Sequence, residues 1–144
     1  MNKIILFSKK RSPYGGNIVT NGDFSDGLTG WTAGGSGGYL SIVDGALHSN
    51  NLVAGNWFSE RAYSVVTFEA KTYYYSFIAR NISGDKNFYM WRNATQIAAR
   101  TLTASFVEYT GTFLATAGNQ NLGLFCNSAI GEFEIDNIEI REVL

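Results

Sequence analysis

Between Lys71 and Arg80 the chain alternates without a break, with Tyr73, Tyr75, Phe77 and Ala79 on one parity and Tyr74, Ser76, Ile78 and Arg80 on the other. A strand sends successive side chains to opposite faces, so this pattern separates a buried face from a solvent face. No ten-residue window carries a capped apolar period of 3.6, which leaves helix nearly excluded. Residues 39–43, 46–50, 52–58, 63–69, 72–80, 87–92, 95–102, 106–114, 121–126 and 132–141 read as short strands. Asp44-Gly45, Ser83-Gly84-Asp85 and Ala117-Gly118-Asn119 supply turn chemistry between them. Sixteen glycines against one proline, with 15% aromatics, suit tight turns joining such strands. The expected fold is all-β: an antiparallel two-sheet β-sandwich of the jelly-roll kind.

A chain of 144 residues is one domain, long enough to bury about 70% of its unfolded surface. Residues 17–144 form the expected sandwich, and residues 1–16 an N-terminal arm or an added edge strand. In that arm the apolar run Ile4, Ile5, Leu6 and Phe7 precedes the basic cluster Lys9, Lys10 and Arg11. Ser12-Pro13 and Gly15-Gly16 read as a joint. The apolar run is too short for a secretory h-region and the basic residues follow rather than precede it, so no export signal is expected. These seven side chains are the candidates for docking on a partner chain.

At the carboxyl end, Phe133 and Ile135 share one parity and Ile138 and Ile140 the other. A side-chain period of two absorbs that change only with an extra residue, which predicts a β-bulge at Asp136-Asn137. At the other end, Asn17-Ile-Val-Thr-Asn-Gly-Asp-Phe-Ser-Asp-Gly-Leu-Thr-Gly-Trp31 is a short apolar strand entering a Gly/Asp-rich turn between Phe24 and Trp31. These bookends resemble the terminal signatures of carbohydrate-binding-module-like (galactose-binding-like) β-sandwich domains of xylanases and glucanases, which also occur in bacteriophage virion accessory proteins. Lys71–Arg80 is similar to that family's central strand and Phe106–Phe113 to its penultimate hairpin, so the resemblance spans residues 17 to 143.

The resemblance implies sugars stacked on aromatics of a concave sheet. Tyr74, Arg80, Trp91 and Trp57 are the candidates, with Asn93 and Gln96 as polar partners; the facing of strand 87–92 stays open, and Trp57 and Trp91 also suit a core or an interface. It also implies a structural Ca²⁺ between the N-terminal turn and the closing strand, held by a turn glutamate and by Asp136, with Asp23, Asp26 and backbone carbonyls able to add oxygens. Ser25 stands where the family carries a glutamate, which removes one charged ligand. No other cofactor is implied.

No HExxH or Walker glycine loop occurs, and the GxSxG spacing is met only by the glycine run 34–38 around Ser36, which reads as a loop. His48, the single histidine, reads as a satisfied or exposed strand residue, and Glu132 and Glu134 as a solvated face. Cys126 shares parity with Leu122 and Leu124 and reads as a buried, inert thiol. Near-balanced charge, 11 basic against 12 acidic residues, argues against a nucleic-acid partner, and no apolar run approaches a membrane span. The expected function is that of a non-catalytic bacteriophage virion accessory protein, decorating a capsid or joining a tail. Its partners would be other virion proteins, with glycan binding and homo-oligomerisation compatible; the alternative is a carbohydrate-binding module proper.

Overall fold

The computed structural model describes residues 12–34, 39–50, 59–126 and 131–144, and all regular structure within them is β. The strands are β1 (Tyr14–Asn17), β2 (Thr32–Ala33), β3 (Tyr39–Val43), β4 (Ala46–Asn50), β5 (Ser59–Phe68), β6 (Thr72–Gly84), β7 (Asn87–Arg92), β8 (Thr95–Thr101), β9 (Val107–Leu114), β10 (Gly118–Cys126) and β11 (Gly131–Val143). One sheet runs β3-β4-β11-β6-β9, with β1 added to β11; the second runs β2-β5-β10-β7-β8. Every strand pair is antiparallel. The two sheets form the expected open sandwich. The expected strand at 52–58, Trp57 and the arm residues Ile4, Ile5, Leu6, Phe7, Lys9, Lys10 and Arg11 lie outside the described residues.

The core follows from alternation. Tyr73, Tyr75, Phe77 and Ala79 are all buried on β6, while Tyr74 and Arg80 are half-exposed. From the second sheet Phe88, Met90, Leu122 and Leu124 meet them, and Phe88 contacts both Phe77 and Phe133 at ring-centroid distances of 5.3 Å. Aromatic pairs in such tilted and edge-on arrangements stabilise beyond their buried area. Asp44-Gly45 turns with positive φ at both residues, 49° and 84°, the left-handed pair a two-residue hairpin needs.

The bulge falls where the parity switch places it. Register slips between Asp136 and Glu139, Asn137 adopts φ 51°, and Ile135 and Ile138 are both buried. The double glycine differs from expectation: Gly15 and Gly16 lie inside β1, which pairs Tyr14 with Val143 and Asn17 with Arg141. The ladder is irregular there, its register shifting between Tyr14 and Asn17.

Candidate functional site

The outer face of the second sheet gathers aromatics that ordinary alternation would leave in water. On β5, Ala62, Ser64 and Val66 point inward and Tyr63 points out; on β7, Phe88, Met90 and Arg92 point inward and Tyr89 and Trp91 point out. Arg92 is accommodated inside because Nη1 donates to Thr116 Oγ1 at 2.9 Å and to Gln120 Oε1. Gly123 of β10 pairs with Tyr63 on one side and Trp91 on the other. The row across the sheet therefore reads Thr32, Tyr63, Gly123, Trp91, Gln96. Two strand spacings, about 10 Å, separate the Tyr63 and Trp91 backbones, and the residue between them has no side chain. That glycine, itself buried, leaves a gap one side chain wide, a narrow trough, between the two aromatic residues.

The next row adds Phe125 paired with Tyr89, and Tyr89 paired with Ala99. Trp91 and Phe125 rings are 6.1 Å apart and tilted at 55°. Tyr63, Tyr89, Trp91 and Phe125 are all half-buried, so their positions are held rather than free-swinging. Beside Tyr89 a cavity of about 250 Å³ is lined by Asn87, Tyr89, Ala99, Arg100 and Thr101. Gln96 is exposed at the end of the first row; Asn93 instead fixes the β7–β8 turn, its Oδ1 accepting from the Asn121 N–H at 2.8 Å. Rigid rings flanked by amides and hydroxyls can stack on the apolar face of a ligand and bond its polar rim.

Of the residues expected to form one sugar face, Tyr74, Arg80 and Trp91 do not come together. Trp91 lies on the second sheet, whereas Tyr74 and Arg80 lie on the outer face of the first, because β6 and β7 belong to opposite sheets. Tyr74 stacks on Tyr14, ring centroids 4.4 Å apart. Arg80 donates from Nε and pairs from Nη2 to Glu134 Oε2, both at 2.7 Å, and its guanidinium lies 4.7 Å from the Phe106 ring centroid. Tyr63, Tyr89 and Phe125 were not among the sequence candidates; their outward parity beside Gly123 was the available signal.

Glu132 and Glu134 are not a solvated face. β11 ends the chain but sits between β4 and β6, and Glu134 is 4% exposed. His48 lies between them, Nε2 at 2.8 Å from Glu132 Oε1 and Nδ1 at 3.1 Å from Glu134 Oε1. Ser83 Oγ donates to Glu132 Oε2 at 2.8 Å. His48 is thus a satisfied strand histidine, and the carboxylates are committed to cross-strand bonding rather than poised for acid–base work.

At the implied calcium position both aspartates accept local hydrogen bonds. Ser25 donates both its N–H and its hydroxyl to Asp23 Oδ1, holding the Asp23 carboxyl below its usual range. Burial, with the nearby Asp23 charge adding to it, raises Asp136, whose Oδ1 accepts from the Asn137 N–H at 2.7 Å. With serine at position 25 the junction has two carboxylates, and calcium's remaining oxygens would have to be backbone carbonyls and waters. Among the described residues no group of three or more His, Cys, Asp or Glu side chains is arranged to hold a metal. Cys126 is buried, and that burial pushes its thiol up to about 12.

No protein-family model and no curated protein sequence matches the chain. Solved structures do. The xylan-binding family 22 module of Paenibacillus barcinonensis Xyn10C is 20% identical at a TM-score of 0.69, over 90% of this chain and 96% of that one. The xylanase 10B structure of Clostridium thermocellum, family 22 and catalytic modules complexed with xylohexaose, is 19% identical at 0.70, over 89% of this chain and 28% of that one. The enzymatically active domain of bacteriophage CBA120 tailspike protein 4 is 12% identical at 0.63, over 86% of this chain and 21% of that one. At these identities the likeness is one of fold, and the chain has the β-sandwich fold of carbohydrate-binding modules.

Proposed function

We propose that this domain is a non-catalytic carbohydrate-binding module that holds a polysaccharide or glycan chain in the trough between Tyr63 and Trp91. The observation that carries the reading is Gly123: a residue without a side chain, flanked in register by two outward aromatic residues. A pyranose ring offers an apolar C–H face to such rings and hydroxyls to the polar groups around them. Gln96, Asn87 and Asn121 stand along the same face. The xylan-binding module of similar fold supports saccharide as the ligand class, as does the likeness to part of a two-module xylanase structure complexed with xylohexaose. Retardation in native gels containing soluble polysaccharides tests it. Wild-type protein should be slowed by at least one of xylan, mixed-linkage β-glucan or galactomannan, and Trp91→Ala should be slowed much less. Equal retardation of the two proteins would place binding elsewhere and reject the trough.

A second reading sets this module on a bacteriophage particle, as a capsid-decorating or tail-associated accessory protein whose partners are other virion proteins. The similarity to a phage tailspike domain supports it, as does the apolar-then-basic segment Ile4–Arg11 as a docking element. Removing residues 1–12 and following incorporation into purified particles tests it. Normal folding with lost incorporation is expected; undiminished incorporation sinks the arm, and absence of the intact protein from particles sinks the virion role.

A further inference from the structure

The outer face of the first sheet carries a second set of preorganised groups that the trough does not use. Phe106 is 40% exposed, although the Arg80 guanidinium lies against its ring. That guanidinium is locked by the buried Glu134, and Glu134 is locked in turn by His48. Six residues back along β6, about 20 Å at the strand rise, stands the stacked pair Tyr74–Tyr14. The cross-strand floor between the two stations is low in part, with Ser76 opposite Thr110 and Ile78 opposite Glu108. Ser76 is itself buried, and the exposed hydroxyls between the aromatic stations are those of Thr110 and Thr112 on β9; stations and hydroxyls together form a track along the strands.

Charge restricts what lies on that track. Arg80 is matched by Glu134 and Arg141 by Glu139, while Glu132 and Asp136 face the same side. A polyanion meets no unmatched cation there, and Phe106 offers an apolar ring face of the kind a sugar covers. We propose that this face is a second saccharide-binding surface, taking an uncharged polysaccharide along β6 from Phe106 and Arg80 to Tyr74 and Tyr14, and that the domain is consequently bivalent. The ligand class follows the reading of the trough, but the site is on the opposite sheet and stands or falls separately.

The experiment uses the whole chain and the same three soluble polysaccharides, comparing wild type, Trp91→Ala, Phe106→Ala and the double variant. Phe106 is exposed, and near-UV circular dichroism checks that its replacement leaves the fold intact. Trp91→Ala should retain measurable retardation, and adding Phe106→Ala should weaken what remains by about tenfold, the scale of one lost aromatic contact. Wild-type protein should also raise the turbidity of a dilute polysaccharide solution by cross-linking it, and either single variant should not. If Trp91→Ala alone abolishes binding, the trough stands and the second surface is refuted. If Trp91→Ala retains binding that Phe106→Ala leaves unchanged, the second surface is also refuted. If wild-type protein binds none of the three, both readings fail together.

Discussion

Gly22 and the Ile138 backbone are joined so closely that position 22 has no room for a side chain. The Ile138 N–H donates to the Gly22 carbonyl at 2.8 Å, and a Cβ added to Gly22 would stand 2.0 Å from the Ile138 carbonyl oxygen. The contact seats the N-terminal turn on the bulge of β11. It also explains why the two ends of the sequence carry matching signatures: the glycine of one and the bulge of the other are halves of a single junction. Around it Asn21 Nδ2 donates to the Gly27 and Thr29 carbonyls, and the Trp31 indole N–H donates to the Asn21 carbonyl.

Gly22→Ala should therefore destabilise the domain by about 3 kcal/mol, the upper range for overpacking, because the obstructing atom is backbone and cannot swing aside. Urea unfolding midpoints of the two proteins measure it. A change under about 0.5 kcal/mol, the scale of ordinary surface substitutions, would mean that the turn moves freely off the bulge.

Much of this architecture was legible from parity, and parity also marks its limit. Alternation along residues 72–80 assigns Tyr73, Tyr75 and Phe77 to the core, and the slip between Ile135 and Ile138 locates the bulge. A period of two says which side a residue takes but not which strands lie beside it. Glu134 looks solvated in a chain-terminal strand, yet its partner His48 is 86 residues upstream and brings β4 alongside. The same limit split the sugar candidates, since Tyr74 and Trp91 are alike in local pattern and belong to different sheets. Strand 87–92 was undecidable for a further reason: its inward parity includes Arg92, tolerable inside only because Thr116 and Gln120 receive it.

Glu134 is the centre of the cross-strand ladder, bonded to Arg80 on β6 and His48 on β4. Replacing it with alanine leaves a guanidinium and an imidazole facing one another across an emptied position. A loss of about 2 kcal/mol is expected, below the range for a fully buried ion pair because the Arg80 side chain is 35% exposed. His48→Ala should cost less, because Arg80 still neutralises Glu134. A double-mutant cycle on Glu134 and Arg80 tests the assignment, and additive effects would show that the pair contributes nothing beyond its separate side chains.

Cys126 should behave as a packing residue. Burial pushes its thiol up to about 12, against the opposing pull of the Arg61 charge, so almost no thiolate exists at neutral pH. Iodoacetamide should leave the native protein unmodified over hours and label it fully in denaturant. Rapid labelling of folded protein would show that the end of the sandwich near Cys126 opens.

Asp136 offers a test of how its junction is charged. Burial raises its carboxyl above the ordinary value, with the Asn137 N–H pulling the other way and the Asp23 charge adding to the rise. The folded state therefore binds more protons than the unfolded chain between the unfolded and folded values, and stability falls as pH rises through that window. Above it, the ionised group is a standing cost. Asp136→Asn keeps an oxygen to accept the Asn137 N–H and removes the charge, so it should stabilise the protein at pH 7. At pH 3, where the wild-type carboxyl is largely protonated in both states, the advantage should shrink towards zero. Urea midpoints at the two pH values, with and without added CaCl₂, decide the matter. Calcium should leave both proteins unchanged; a midpoint that rises with calcium in wild type and not in Asp136→Asn would show instead that the two aspartates share a cation.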